Sequence, residues 1–545
     1  MMMGRHQLEL LVAALALINC RVAAKNFIED EEYWMSVGRA ELSNALNVAV
    51  NNKVAKNVIL FIGDGMGPNT VTATRIYKYG ESGRLTFEKF PHVGLLKTYS
   101  VDKQVPDAAS SATAMFTGVK VNQKTIGLDA SYQINDTTHC GNASSQRIGL
   151  TSLAKWAQDA GKSTGFVTNS RITDATPAAL YAQTSNRKWE CNTAMPPSAK
   201  NCKDIARQLI EDLPGRNFKV IMGGGKKSFE ANSPPNPKET VDKSLCVRTD
   251  RKDLIREWIE DKLSNNLSHQ FLTNVSDIKL LDTEQTEYIL GLFTNGAMPM
   301  EYIRNKKSLG IPSLELMTET ALKVISKNEN GFFLMVENGL IDAAHHQSTA
   351  RLALDETVEF DKTINTSIKL LRQLNMLNDT LVIVTSDHAN LLSINGYPNR
   401  GNNILDVAGV SETDDVKYTT LTYSIGFAKH PVYTRSGSIV IRQDPTVSGS
   451  TSSHDYTQQV GIPDETGLHG GSDVAVYARG PMGHLFHSIH EQNYIAHAIA
   501  YATKIGMYHQ SEQSTNQSFI HFSSIYLICT LILSLYVNEV TVLRF

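Results

Sequence analysis

Four short apolar runs constrain this chain more than any other feature in it. They cover residues 57–62, 332–336, 381–385 and 474–478. Each runs straight into a polar cluster: Gly63-Asp64-Gly65, Glu337-Asn338-Gly339, Ser386-Asp387-His388 and Gly480. Apolar runs of this length with almost no polar alternation predict strands buried on both faces. Helical periodicity lies between them, for example at 150–160 and 350–374. Strands alternating with helices predict an α/β sheet with helices on both faces. Ligands of such sheets bind beyond the carboxyl ends of the strands, so the residues after these runs are site candidates by position alone.

Metal-binding side chains gather in the same places. Glu337, Asp342 and His346 follow one run, Asp387 and His388 another, His469-Gly-Gly precedes the last, and Asp64 adds a fourth segment. Several carboxylates converging on one point repel each other unless a cation sits among them. Mixed imidazole and carboxylate ligation suits Zn²⁺, and an all-oxygen group suits Mg²⁺.

The ends of the chain point to export and a membrane. An apolar run at 10–18 follows Arg5 and His6, and Val22, Ala23 and Ala24 offer a signal-peptidase site, so residues 1–24 read as a removed signal. A second apolar stretch at 519–537 follows the polar segment 511–518, the layout of a GPI-attachment signal. A transmembrane anchor at 519–537 is the rival reading, since that run is long enough to cross a bilayer. Four cysteines remain between these ends, Cys140, Cys191, Cys202 and Cys246, and an exported chain with an even number predicts disulfides in one of three connectivities. Sequons at Asn135, Asn142, Asn266, Asn274, Asn365, Asn378 and Asn516 fit a secreted surface. A net charge of −3 argues against nucleic acid as a partner.

Two segments stand apart from the α/β pattern. Residues 27–50 read as an acidic N-terminal helix, either a solvated segment or an arm that contacts a second subunit. Residues 397–463 are rich in Gly, Ser and Thr with short β-like runs, and read as a small insertion between two site-forming strands. A Pro-rich loop lies at 233–237.

Over about residues 30–510 the chain resembles the alkaline phosphatases of the animal, membrane-anchored type. The motifs that carry the resemblance are Asn57-Val-Ile-Leu-Phe-Ile-Gly-Asp-Gly-Met-Gly67, Val336-Glu-Asn-Gly-Leu-Ile-Asp-Ala-Ala-His-His346, Thr385-Ser-Asp-His388 and His469-Gly-Gly-Ser-Asp-Val-Ala-Val476. The resemblance implies that one zinc takes Asp342, His346 and His469, and a second takes Asp64, Asp387 and His388. It implies a Mg²⁺ that shares Asp64 and adds Glu337 and Thr176, with Asp174 nearby. Arg187 matches the arginine that clamps two phosphate oxygens, a task suited to a planar guanidinium. Cys140 and Cys202 match a family disulfide, which leaves Cys191 and Cys246 as a second pair. The implied organisation is an α/β domain from 51–396 and 464–510, a crown-like insertion at 397–463, an N-terminal arm at 25–50 and an anchoring signal at 511–545. The implied partners are a phosphate monoester, the outer leaflet of the plasma membrane and a second copy in a homodimer.

The chain departs from the family at the nucleophile. In Val105-Pro-Asp-Ala-Ala-Ser-Ser-Ala-Thr113 the position of the phosphoryl-accepting serine is Ala108, which has no oxygen to attack with. Ser111 lies one helical turn on, about 4.5 Å along the axis, too far for an in-line transfer that tolerates about 1 Å of misplacement. A metal-activated water attacking the ester directly is the remaining route to turnover. Two expectations follow: a phosphomonoesterase with impaired turnover, or a catalytically inactive surface protein that binds phosphate esters or serves as a receptor or adhesion protein. A sulfatase is disfavoured, because its nucleophile position needs Cys or Ser. Asp174, Ala343 and Asn390 also depart from the residues common in animal members, and changes in the surroundings of metal ligands shift affinity or activity by about 10–100-fold. The acidic residues of the vertebrate calcium site align with Thr294 and Ile311, so no calcium is expected there.

Overall fold

The computed structural model describes residues 29–140, 149–231, 242, 245–307 and 310–509. The expected signal at 1–24, the C-terminal segment 511–545, the Pro-rich loop and the sequons at Asn142 and Asn516 lie outside the described residues.

The apolar runs form the middle of a ten-stranded sheet. Its strands are β1 (Asn57–Gly63), β2 (His92–Lys97), β3 (Ser163–Arg171), β4 (Val220–Gly224), β5 (His269–Leu272), β6 (Tyr288–Leu292), β7 (Phe332–Asn338), β8 (Thr380–Thr385), β9 (Val474–Arg479) and β10 (Ser488–Glu491). They lie in the order β10-β2-β9-β8-β1-β7-β3-β4-β6-β5. Side chains alternate between the two faces of a strand, and both faces of β1 are covered. Val58, Leu60 and Ile62 pack into one apolar cluster with Ala112, Met115 and Phe116, while Ile59 and Phe61 enter another with Phe360 and Ile364. This two-sided burial is why the strand reads as a continuous apolar run.

Nine strands point the same way, and β9 alone is reversed, antiparallel to both β2 and β8. The reversal corrects one expectation. Gly480, read as a strand-end cluster of the site, lies at the opposite edge of the sheet. A Cβ there would stand 2.1 Å from the Thr380 carbonyl oxygen at the start of β8, and φ is +98°, so this is a turn glycine. His469, which precedes β9, is thereby placed at the same edge as the carboxyl ends of the other strands.

Small sheets lie in and beside residues 397–463. Leu392–Ile394 pairs antiparallel with Leu421–Phe427, which pairs parallel with Val460–Asp464. Tyr433–Ser436 and Ile439–Arg442 form a hairpin. Leu421, Tyr423 and Val460 pack against Ala73, Ala350 and Leu354 of the α/β domain. Disulfides join Cys140 to Cys202 and Cys191 to Cys246, the expected pairing. The helix Glu31–Leu46 forms a unit of its own with Asp30 as N-cap and Glu31 and Glu32 in its first turn, where a helix dipole favours negative charge. None of its residues is buried, and Trp34, Met35, Leu42 and Leu46 are exposed. Among the described residues no helix is long and apolar enough to cross a membrane.

Candidate active site

Every metal-ligand candidate lies at or just beyond the carboxyl edge of the sheet. Asp64 follows β1, Glu337 is the penultimate residue of β7, Asp342 and His346 occupy the short helix Leu340–His346, and Asp387 and His388 follow β8. Gly65 allows the close approach at the end of β1. Its φ is +67°, and a Cβ there would meet Asn390 Nδ2 at 2.1 Å and Asp342 Oδ1 at 2.8 Å.

The donors form two adjoining groups. In the first, His346 Nε2 is 2.9 Å from Asp342 Oδ2, His469 Nε2 is 3.2 Å from His346 Nε2, and His469 Nε2 is 3.8 Å from Asp342 Oδ1. In the second, Asp64, Asp387 and His388 each offer one ligand atom within 4.8 Å of the others. His388 stacks on His469 with 3.5 Å between ring centroids, and Asp342, His388 and His469 also offer ligand atoms within 4.8 Å of one another, so His388 is shared between the two groups. His346 Nδ1 faces the Gly467 carbonyl at 2.5 Å and His469 Nδ1 faces that of Pro106 at 2.9 Å. A ring that donates Nδ1–H to a carbonyl presents Nε2 as the metal-binding nitrogen.

The donor atoms fit a cation. Asp64 Oδ1, Asp387 Oδ2 and His388 Nε2 are buried and make no well-formed hydrogen bond, though His388 Nε2 faces Asp387 Oδ2 at 3.1 Å and Asp64 Oδ1 at 3.4 Å. Each unmet buried polar atom costs about 1–3 kcal/mol, and a divalent ion would satisfy all three. The electrostatics agree. Burial, then the charges of Asp387 and Asp342, raises the Asp64 carboxyl well above its usual range. Burial pushes Asp387 up to about 6 and Glu337 up to about 8. Burial likewise lowers His388 and His469 to about 4, leaving both rings neutral and able to ligate. His346 differs, because the Asp342 carboxylate beside it raises its pKa to about 9. A third cluster, His139 with Cys140 and Cys202, is closed by the disulfide.

Ala108 opens the helix Ala108–Thr117, directly after its N-cap Asp107, and is 2 % exposed. Asp107 Oδ1 accepts from the Ser110 and Lys124 N–H groups at 3.2 and 3.0 Å, while Oδ2 accepts from Arg187 Nη1 at 3.1 Å. Burial works against this carboxylate, but Arg187 and those N–H groups outweigh it and keep the carboxyl below its usual range. Ser110 Oγ is tied to Asp107, at 2.9 Å from Oδ1. Ser111 Oγ is buried without a partner.

Around Glu337 the donors are all oxygens. Glu337 Oε2 accepts from Thr168 Oγ1 at 2.5 Å, and Thr176 Oγ1 is buried with no partner. Asp174 caps the short helix Ala175–Ala178 and bonds Arg187 Nη2 at 3.1 Å. Thr294 Oγ1 donates to the Gly296 carbonyl at 2.7 Å, and Ile311 packs in the apolar core.

Sequence reading missed several residues that hold these groups in place. Thr168 lies inside a strand, Gln492 donates to the Asp387 carbonyl at 2.6 Å from beyond β10, and the Pro106 and Gly467 carbonyls orient two imidazoles. None belongs to a recognisable motif, and backbone carbonyls leave no signal in a sequence.

Fold and site together define an α/β protein with a candidate two-ion centre beside an arginine. The family model for "Alkaline phosphatase" matches residues 55–505, and the chain belongs to that family. It is 42% identical over 490 residues to the tissue-nonspecific alkaline phosphatase isozyme of Rattus norvegicus, covering 88% of this chain and 89% of the relative. Against the human isozyme the identity is 40% over 508 residues, covering 91% and 92%. Among solved structures, a mutant TAB5 alkaline phosphatase with magnesium bound in its M3 site superposes with a TM-score of 0.56 at 25% identity, covering 84% of this chain and all of that one.

Proposed function

We propose that this chain is a cell-surface phosphomonoesterase-type protein with a zinc and magnesium site, whose serine-dependent turnover is impaired by Ala108. The observation that carries this reading is how the segment around Ala108 is fastened. Pro106 is bonded to His469 of one donor group, and Asp107 is bonded to Arg187. Ala108 therefore belongs to the site, yet presents a methyl group where the family places a hydroxyl.

Asp342, His346 and His469 would hold one zinc, Asp64, Asp387 and His388 the other, and Asp64, Glu337 and Thr176 the magnesium. Bound there, zinc supplies Lewis-acid stabilisation of the attacking and leaving oxygens. Arg187, gripped by Asp107, orients the phosphate of a monoester through charge-assisted hydrogen bonds. Without a serine oxygen no phosphoenzyme forms, and water displaces the leaving group in a single step. The second reading, a catalytically inactive phosphate-ester binder at the cell surface, is favoured by the same Ala108.

The test is steady-state hydrolysis of a chromogenic phosphate ester at alkaline pH, with zinc content measured. Slow turnover without a burst supports the first reading. No turnover with retained phosphate binding supports the second, and failure to bind zinc removes the site assignment from both. We further propose that residues 1–24 are a signal, that 511–545 direct GPI attachment and that the chain forms a homodimer. Release from cells by a phosphatidylinositol-specific phospholipase tests the anchor, and retention favours a transmembrane tail.

A further inference from the structure

Three histidines gather at the edge of the sheet opposite the candidate active site. His92 opens β2 and pairs with Ala478 near the end of β9, His484 lies in the single turn Gly483–Phe486 that follows β9, and His487 directly precedes β10. His92 is 3% exposed, and its Nδ1 stands 3.0 Å from His487 Nε2, with 4.8 Å between the ring centroids. His484 lies edge-on to His92 at 6.4 Å between centroids, and its Nδ1 is buried with no hydrogen-bond partner. A Cβ at Gly483 would be 2.9 Å from His92 Cδ2, so the turn that carries His484 closes directly over that ring. Burial, then the rings of His487 and His484, lowers the His92 pKa to about 4. The ring is therefore neutral at ordinary pH and keeps a lone pair on one nitrogen.

We propose that His92, His487 and His484 form a further metal site, which takes one divalent transition ion of the zinc type. An all-imidazole donor set suits zinc and its neighbours, whereas magnesium and calcium take oxygen. Two nitrogens bound to one tetrahedral zinc lie about 3.3 Å apart, and those of His92 and His487 are already 3.0 Å apart. His484 closes on the ion by a small movement of its turn, which gives its buried Nδ1 the partner it lacks, and water fills the fourth position. His490 stays outside the site, because its Nε2 faces the His487 carbonyl at 2.5 Å and its ring stacks on Tyr494 at 4.0 Å. The strand β10 is the last of the sheet and pairs with β2 alone. An ion held by these residues fastens the entry to β10 onto the start of β2 and the turn after β9. It acts as a structural clip, and it is independent of Ala108 and of the function proposed for the opposite edge.

The experiment counts zinc per chain in the metal-loaded wild type, His92→Phe and His487→Ala after equilibration with free zinc buffered in the micromolar range. Wild type is expected to hold about one zinc more than either variant. It should also melt at a higher temperature in buffered zinc than without it, by a margin that both variants lose. His487 is exposed, so His487→Ala carries the test even if replacement of the buried His92 prevents folding. Equal zinc counts in wild type and His487→Ala overturn the proposal, and the two rings then share only a proton. Crystals of wild type measured at the zinc absorption edge give the position directly. An anomalous peak bonded to His92 Nδ1 and His487 Nε2 supports the site, and no peak there overturns it, whatever the two groups at the other edge hold.

Discussion

Asn390 Nδ2 donates to Asp342 Oδ1 at 2.9 Å and also lies 3.2 Å from the Gly65 carbonyl. It thereby aims a candidate zinc ligand from the opposite wall of the site. The other oxygen of Asp342 faces His346 at 2.9 Å, so the carboxylate is oriented from both sides. Asn390→Ala removes one of these constraints and should lower zinc affinity about 10–100-fold. Competition with a fluorescent chelator measures it, and an unchanged affinity would mean that His346 alone orients Asp342.

Ala108→Ser places a hydroxyl at the start of the helix Ala108–Thr117, next to Asp107, which accepts from Arg187. Phosphatase turnover should rise by orders of magnitude, with a burst of phosphoenzyme in rapid-quench kinetics. If zinc content is unchanged and turnover stays flat, the surroundings altered at Ala343 and Asn390 limit the site as well.

Glu356 makes stability depend on pH. Burial, reinforced by the charges of Glu301 and Glu359, raises its pKa from 4.5 to about 8. Below pH 4.5 the group is protonated in folded and unfolded chains alike. Between the two values the folded chain keeps a proton that the unfolded chain releases, so stability falls as pH rises, by up to about 1.4 kcal/mol per unit. Glu356→Gln should therefore be stabilising relative to wild type at pH above 8 and lose that advantage toward pH 4.5. Melting temperatures across this range check it, and parallel curves for the two proteins would count against a neutral Glu356.

Tyr423 ties the insertion to the site. Its hydroxyl bonds His345 Nδ1 at 2.8 Å, and His345 Nε2 bonds Thr70 Oγ1 at 3.0 Å, all of them buried. Tyr423→Phe leaves a buried ring nitrogen without its partner and should cost about 1–3 kcal/mol. Urea unfolding of the metal-loaded protein measures the loss, and a change below a few tenths of a kcal/mol would mean that another group replaces the hydroxyl.

Much of the site was legible because its donors lie next to features that a sequence displays. The runs at 57–62, 332–336 and 381–385 end in Asp64, Glu337 and Asp387, and a parallel strand places whatever follows it at one edge of the sheet. The same rule failed for the run at 474–478. Strand direction depends on which neighbours a strand pairs with, and β9 pairs antiparallel on both sides. Gly480 therefore left the site, and His469 entered it from the amino end.

The sequence by itself supplied the candidate chemistry of this protein: the set of carboxylates and imidazoles, the arginine, and an alanine where the resemblance places the nucleophile. Only the tertiary structure decided which of those donors are free to ligate. Asp64 Oδ1, Asp387 Oδ2, His388 Nε2 and Thr176 Oγ1 are buried without a well-formed hydrogen bond, whereas Asp174 is fully engaged by Ser170, Ala175, Arg171 and Arg187. The reason is physical. The number of acceptor positions on a carboxylate is a property of the residue, but their occupation depends on how the chain folds after β3, which turns Ser170, Arg171 and Ala175 onto Asp174 and brings Arg187 to it from farther along the chain.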